Sequence, residues 1–111
     1  NCGEQPLGAF SVCNLGAINL SRFYDEEKHD VKWDELRQTV QYATRFLDNV
    51  IDTTPYFFKE NEVVQMDERR VGLGTMGIAE LMLHMGIRYG SDESVEFIDK
   101  VYKLKSNFYL N

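Results

Sequence analysis

The chain has 111 residues, of which 43% are hydrophobic, so it can bury one modest core and more than one domain is not expected. Its 18 acidic and 12 basic residues give a formal charge of −6, which disfavours nucleic acid as a partner, because proteins bind polyanions through clustered Lys and Arg. No apolar run approaches the roughly 20 residues that a membrane span needs, and the first residues lack the pattern of a secretory signal. The composition therefore predicts a cytoplasmic protein with neither a membrane nor a nucleic-acid partner.

Residues 1–22 are predicted to form a loop and the stretch that follows it. The turn-forming residues of this region, set among small and polar neighbours, are Gly3, Pro6, Gly8 and Gly16. Residues 14–20 are expected to be extended or turning. Residues 22–30 are rich in charge, which indicates a solvent-exposed connector before the first helix.

The clearest helix is predicted over residues 33–52. Its apolar side chains recur at intervals of three and four residues, which places them on one face. They are Trp33, Leu36, Val40, Ala43, Leu47 and Val50. Asp34 and Glu35 complement the positive end of the helix dipole, and Pro55 disfavours helical geometry at Thr54. The sequence thus marks both ends of this helix.

Residues 55–70 are interpreted as a connector with a buried aromatic anchor at Tyr56, Phe57 and Phe58. A second helix is predicted from about Thr75 to Met85.

The end of that second helix is marked by Gly86, a residue suited to a left-handed cap. A third helix is predicted to follow the N-cap residue Ser91 and to end near Phe108. The isolated segment is therefore expected to be mainly α, with about three helices behind a glycine-containing loop. It forms one unit over 1–111, divided into residues 1–22 and a helical part over 23–111.

The first candidate site is Cys2-Gly3-Glu4. A loop can direct both side chains at one substrate, where a thiol supplies nucleophilic or radical chemistry and a carboxylate acts as a general base. Spacing alone leaves open that Cys2 is a small buried hydrophobe and that Glu4 is merely solvated. Cys13, 11 residues later, is either a second thiol that folds back near the first or a buried and inert one.

A glycine pattern and two histidines suggest other sites. Gly72, Gly74 and Gly77 satisfy the dinucleotide-binding pattern. The residues before them are charged and no convincing strand precedes them, which favours close packing at the start of a helix. His29 and His84 are 55 residues apart and no Cys or His pair has ligand spacing, so a metal site is not predicted.

The order of several motifs resembles the active-site region of ribonucleotide reductase large subunits, particularly the cobalamin-dependent class. The first two are Cys-Gly-Glu-Gln-Pro-Leu at 2–7 and Cys-Asn-Leu-Gly-Ala-Ile-Asn-Leu at 13–20. Three further segments follow in the family's order, at 45–52, 69–77 and 86–91. The resemblance covers nearly the whole chain.

This resemblance implies that the chain belongs to a ten-stranded α/β barrel and contributes to an oxidoreductase reaction, the reduction of ribonucleotides to the deoxyribonucleotides used in DNA replication. The cysteine that matches Cys2 carries a transient thiyl radical, which takes hydrogen from the ribose. Glu4 matches the glutamate that handles the ribose hydroxyl proton. Cys13 matches one of two thiols that reduce the sugar and become a disulfide. Its partner is expected upstream, outside this chain.

The same resemblance implies the cofactor and the partners. The intact enzyme would use adenosylcobalamin, while none is expected to be bound to this segment, because the surfaces that hold such a cofactor lie elsewhere. The implied partners are a ribonucleoside di- or triphosphate, the rest of the reductase subunit and a thioredoxin-like reductant. Alone, the segment is expected to be inactive.

One departure and two alternatives stand beside this interpretation. The family has an asparagine two residues before the radical cysteine, whereas Asn1 directly precedes Cys2, so that asparagine's role is not transferred to Asn1. The chain can instead be a small helical interaction module, which concentration-dependent association without thiol chemistry would favour. It can also be a thiol redox protein that uses Cys2 and Cys13, which a low-potential disulfide between them would favour.

Overall fold

The computed structural model of the chain describes residues 5–106. In chain order, the elements are β1 (Asn14–Asn19), a 3-10 turn (Leu20–Phe23), β2 (Tyr24–Asp25), β3 (Asp30–Val31), α1 (Trp33–Thr53), α2 (Lys59–Glu68), β4 (Val71–Met76), α3 (Ile78–Met85) and α4 (Asp92–Ser106). The expectation of a mainly helical segment is confirmed, although the described range contains four helices where three were predicted. None of these helices is long and apolar enough to cross a lipid bilayer.

Helix α1 has the predicted position and the predicted apolar face. Its buried side chains are Leu36, Val40, Leu47 and Ile51. Thr54, the residue before Pro55, is extended with φ −69° and ψ 126°, and its N–H donates to the carbonyl of Val50 at 3.0 Å. The proline therefore ends the helix as its geometry requires.

Strands β1 and β4 form a parallel pair in which Gly16 lies opposite Leu73 and Ile18 lies opposite Thr75. Parallel strands need a crossover connection, which α1 and α2 provide. One face of the pair packs against α1, where the methyl groups of Leu47 lie 3.6 Å from the Cβ position of Gly16. The extended stretch expected over 14–20 is thus a strand, and the described strands form two two-stranded sheets, this one and the antiparallel β2–β3 pair.

The interpretation of residues 55–70 as a connector is wrong, because Lys59–Glu68 is helix α2. The helix lacks a strong apolar stripe, which is why hydrophobic periodicity did not reveal it. The aromatic anchor is also only partly correct. Tyr56 is half-buried and its hydroxyl donates to the carbonyl of Ile51 at 2.9 Å, whereas Phe57 is 91% exposed and Phe58 is exposed.

The predicted second helix begins later than expected. Thr75 and Met76 belong to β4, and α3 begins at Ile78 after Gly77, which has a left-handed φ of 74°. Its end is as predicted, because Gly86 is left-handed with φ 71°. Residues 71–76 alternate too weakly in polarity to be recognised as a strand, since two of the six are glycine.

Helix α4 begins after Ser91, as predicted, with the Ser91 hydroxyl accepting a hydrogen bond from the backbone N–H of Ser94 at 3.1 Å. The predicted end near Phe108 lies outside the described residues. The core joins α4 to α1, α3 and the β1–β4 pair. Its buried members are Ile18, Leu20, Val31, Leu36, Val40, Leu47, Leu73, Leu81, Met82, Ile87, Phe97 and Val101.

Candidate functional site

Of the three predicted site residues, the structure places Cys13. Cys2 and Glu4 lie outside the described residues, so the predicted proximity of Cys2 to Glu4 and its relation to Cys13 stay predictions. Cys13 is half-buried and directly precedes β1, and its Sγ lies 4.0 Å from the carbonyl oxygen of Asn14. It is a free thiol.

The sulfur of Cys13 lies on the face of the β1–β4 pair that α1 leaves uncovered. A Cβ atom built on Gly72 would stand 3.5 Å from Cys13 Sγ and would overlap with the side chain of Leu15. Leu15 and Ala17 are exposed in β1, and Gly74 and Met76 are exposed in β4. The absence of a side chain at Gly72 therefore leaves the space in which Leu15 lies next to the thiol.

A cavity of about 220 Å³ opens beside Cys13, between the start of β1 and the end of α1. Two of the side chains that line it, Asn14 and Gln65, have buried amide oxygens to which no described residue donates a hydrogen bond. Gln65 is 2% exposed. Buried polar groups are nearly always paired, so these two amide oxygens are exceptions among the described residues.

The orientation of both amides is fixed by their other ends. The Nδ2 of Asn14 donates to the carbonyl of Leu47 at 2.7 Å, and the Nε2 of Gln65 donates to the carbonyl of Arg70 at 3.2 Å. Rotating either amide would place an oxygen against a carbonyl and would lose that bond. Asn14 thereby joins the residue after the thiol to α1, and the side chain of Gln65 joins α2 to the start of β4.

The loop before Cys13 contains a strained turn. The N–H of Ser11 donates to the carbonyl of Gly8 at 3.2 Å, and Phe10 inside this turn has φ 61°. This left-handed conformation brings Cβ too close to the following carbonyl and costs a non-glycine residue about 1–2 kcal/mol.

Side chains of α2 hold the strained turn. The Nδ2 of Asn61 donates to the carbonyl of Phe10 at 2.7 Å, and the hydroxyl of Ser11 donates to the carboxylate of Glu68. The bond from Ser11, followed by one from Arg70 at 3.2 Å, holds the pKa of Glu68 below its ordinary value. Glu68 is therefore an ionised acceptor at neutral pH.

An ion-pair cluster fixes the end of α2 to α1. Arg69, left-handed with φ 44°, places its guanidinium 2.9 Å from carboxylate oxygens of both Asp48 and Asp52. These contacts lower the pKa of Asp52, chiefly through the hydrogen bond from Arg69, and raise the pKa of Arg69. The cluster joins two of the motif segments noted in the sequence, 45–52 and 69–77. The guanidinium of Arg69 is thus already paired with the carboxylates of Asp48 and Asp52.

The glycine pattern at 72–77 has a packing role, as favoured from the sequence. Gly72 and Gly74 lie within β4 rather than in a turn after it, and Gly77 precedes α3. A Cβ on Gly77 would overlap with the Oδ1 of Asn19 and stand 3.1 Å from the backbone nitrogen of Ser21. Gly77 therefore allows α3 to begin close to the 3-10 turn.

The two histidines contact the aromatic ring of one tyrosine. The hydroxyl of Tyr24 lies 2.6 Å from the Nδ1 of His29, and the ring of Tyr24 stacks on His84 with centroids 5.1 Å apart. Both histidines are exposed.

Sequence reasoning missed the polar residues that organise this site. Asn14 was quoted only as part of a motif, and Asn61, Gln65 and Glu68 lay in the supposed connector. A usable signal was present in residues 59–68, which contain no glycine or proline and are rich in Glu, Gln, Lys and Met, all good helix formers. Which of their side chains reach the loop depends on tertiary contacts.

Known proteins resemble this chain over most of its length. The model of the family described as "Ribonucleotide reductase, barrel domain" matches residues 1–107. A vitamin B12-dependent ribonucleoside-diphosphate reductase of Thermoplasma acidophilum is 44% identical over 100 residues, which is 90% of this chain and 13% of that protein. A protein of the same name from Mycobacterium tuberculosis is 42% identical over 102 residues, or 92% of this chain and 14% of that protein.

A ribonucleoside-diphosphate reductase subunit alpha of Chlamydia pneumoniae is 40% identical over 100 residues, which is 90% of this chain and 9% of that protein. The chain thus spans only 9% to 14% of the length of these three relatives. The family match nevertheless extends over almost all of this chain. The chain therefore belongs to the ribonucleotide reductase barrel domain family.

Proposed function

We propose that this chain forms part of the catalytic subunit of a ribonucleotide reductase and that Cys13 is one of the two thiols that reduce the ribose. The observation that carries the proposal is the placement of Cys13, half-buried on the uncovered face of a parallel strand pair. In α/β barrels, helices cover the outside of the strands and the opposite face points inward. The proposed ten-stranded barrel would therefore present Cys13 to its interior.

The chemistry proposed for Cys13 balances with one partner thiol. Two thiols give up two electrons and two protons and become a disulfide, while the ribose exchanges its 2′-hydroxyl for hydrogen and the oxygen leaves as water. The partner cysteine is proposed to lie upstream in the complete subunit. A thioredoxin-like dithiol would then reduce the disulfide for the next turnover.

Cys2 and Glu4 are proposed to carry the preceding steps, on the basis of their match to the family motif. Cys2 would hold the transient thiyl radical that takes a hydrogen atom from the ribose. Glu4, two residues away, would accept and return the ribose hydroxyl proton. In this scheme the loop up to Cys13 brings the radical and reducing steps to one substrate.

The substrate and cofactor follow from the names of the relatives. Since the three relatives described above are all named ribonucleoside-diphosphate reductases, we propose a ribonucleoside diphosphate rather than a triphosphate as substrate. Two of them are named vitamin B12-dependent, which supports adenosylcobalamin as the radical source of the complete enzyme. The cavity beside Cys13, about 220 Å³, is too small for a cobalamin, so we assign none of its residues to the cofactor.

Membership of the reductase family is more specific support than the features that would indicate an interaction module or a thiol redox protein. An interaction module would use exposed apolar side chains, which most soluble proteins also have. A separate thiol redox protein would need a disulfide between Cys2 and Cys13, which competes with the upstream partner proposed here. The reductase function is therefore proposed in preference to both alternatives.

The proposal is tested by Cys13→Ser in the complete reductase subunit that contains this segment. We expect turnover driven by an external dithiol to stop, while the radical still forms at the cofactor, because hydrogen abstraction precedes the reducing step. Deoxynucleotide formation and the electron paramagnetic resonance signal are the measurements. Sustained turnover by Cys13→Ser would leave Cys13 as a packed thiol and overturn its proposed role.

A further inference from the structure

The turn before Cys13 is held in a conformation that its own sequence disfavours. Phe10 has φ 61°, a region in which glycine or asparagine is usual and a bulky side chain is rare. Strained residues of this kind persist only where neighbouring groups fix them, and they concentrate at functional sites. Contacts from neighbouring groups are therefore expected to fix Phe10.

Two side chains of α2 form hydrogen bonds to this turn. Asn61, in the first half of the helix, donates to the carbonyl of Phe10 at 2.7 Å, and Glu68, its last residue, accepts from the hydroxyl of Ser11. The two contacts hold consecutive residues of the loop, from positions seven residues apart on the helix. They restrain the carbonyl of Phe10 and the side chain of Ser11.

Helix α2 is itself fixed at its C-terminal end. Arg69 pairs with Asp48 and Asp52 of α1, and the side chain of Gln65 donates to the carbonyl of Arg70. The loop is thus restrained through α2 against α1, the helix on which β1 packs. Cys13 is joined to the same helix through Asn14.

We propose that Asn61 and Glu68 are positioning residues, which hold the turn at Phe10 and Ser11 and so set the course of the chain between Glu4 and Cys13. The inference rests on the proposed function, because it assumes that residues on both sides of this turn act on one substrate. Reacting groups must be held closely, and a misplacement of about 1 Å can reduce a rate by about 100-fold. Neither residue needs to touch the substrate.

The test uses the complete reductase subunit that contains this segment. Asn61→Ala removes the donor to Phe10, and Ser11→Ala removes the donor to Glu68 while leaving the Glu68–Arg70 pair in place. Ser11→Thr keeps a hydroxyl at that position. The matched control is Glu62→Gln, which alters a carboxylate of the same helix that pairs with Lys59 at 2.8 Å instead of contacting the loop.

We expect Asn61→Ala and Ser11→Ala each to lower kcat by about 10- to 100-fold, with KM for the ribonucleoside diphosphate changed by less than about 2-fold. Ser11→Thr should recover most of the activity, and Glu62→Gln should match the wild type. Alanine is the best helix former, so Asn61→Ala is not expected to weaken α2 itself, and the thermal unfolding midpoint checks this.

Two results would overturn the inference. One is that Asn61→Ala and Ser11→Ala have the same kcat as Glu62→Gln. The other is that their kcat falls only together with the unfolding midpoint and that Ser11→Thr gives no recovery, which would make the contacts purely structural. Failure of the proposed function is a separate result, which is normal turnover by Cys13→Ser. The Asn61→Ala and Ser11→Ala variants are compared with the wild-type enzyme independently of that result.

Discussion

Several single residues of this fold have a left-handed backbone conformation. Gly77, Gly86 and Gly90 have positive φ, and so do three non-glycine residues, Phe10, His29 and Arg69. Gly86 was predicted as a helix cap because its position follows a periodic stretch. Phe10 and Arg69 gave no such signal, since nothing in a phenylalanine or an arginine indicates a left-handed residue. Their conformations are imposed by contacts with α2 and α1.

Gly77→Ala is expected to destabilise the chain more than Gly90→Ala. At Gly90 a Cβ would meet nothing within 4 Å, so the cost is only that of φ 83°, about 1–2 kcal/mol. At Gly77 the same kind of backbone cost is joined by overlap with Asn19, whose Oδ1 accepts from the backbone and hydroxyl of Ser21. Overpacking of this kind adds roughly 1–3 kcal/mol.

Urea unfolding of both variants and the wild type measures this difference. The control is Gly90→Ala, because it isolates the effect of φ from the effect of space. Equal losses of unfolding free energy would show that Asn19 and Ser21 move aside without cost.

At the scale of elements, hydrophobic periodicity predicted what depends on burial and missed what depends on polar contacts. Helix α1 was located to within about a residue at each end, because its stripe, its first-turn acids and Pro55 all point to the same bounds. Helix α2 has little apolar stripe, since it is held by Asn61, Gln65 and Glu68 through side-chain hydrogen bonds. No spacing rule in a single sequence indicates that Asn61 and Glu68 will contact loop residues 51 and 57 positions away.

The predicted site shows the same division. Cys13 was singled out because a thiol can carry chemistry and because its motif resembles a family motif. The two amide side chains beside it, Asn14 and Gln65, were not singled out, because an amide becomes informative only when its oxygen is found buried and without a donor. That state depends on how α1 and α2 pack against β1.

The cluster of Arg69 with Asp48 and Asp52 is expected to make the stability of the chain depend on pH in the acid range. The pKa of Asp52 lies below its ordinary value of 3.8 in the folded chain, chiefly because Arg69 donates a hydrogen bond to it. As pH falls, the unfolded chain therefore binds the proton first. The stabilisation is complete above the ordinary pKa and is lost as pH falls through the lowered one.

Asp52→Asn should flatten this part of the curve of unfolding free energy against pH. The pKa of Glu68 is also lowered, and Glu68 is present in both the wild type and Asp52→Asn. The difference between their curves therefore isolates the contribution of Asp52. Chemical denaturation at a series of pH values below about 5 provides the curves. Identical slopes for the wild type and Asp52→Asn would contradict the link between Arg69 and Asp52.

At the scale of the whole molecule, residues 5–106 cover the β1–β4 pair on one face only. Helix α1 packs against one face, while Leu15, Ala17, Gly74 and Met76 are exposed on the other. Parallel strands occur almost always with both faces covered. In the proposed barrel the second face would be enclosed by further strands of the subunit. Residues 5–106 leave this face as an exposed apolar surface.

The isolated chain is therefore expected to self-associate through this face as its concentration rises, because an exposed apolar patch favours contact with a second copy. Leu15→Lys should suppress the association, since Leu15 is 66% exposed on the uncovered face and a lysine there keeps its charge in water. The matched control is Leu83→Lys, where the leucine is 78% exposed and belongs to α3 rather than to the β1–β4 pair. Sedimentation velocity over a range of concentrations gives the oligomeric state, and circular dichroism confirms that each variant stays mainly helical. A wild type that is monomeric throughout, or equal suppression by both substitutions, would show that the uncovered strand face does not drive association.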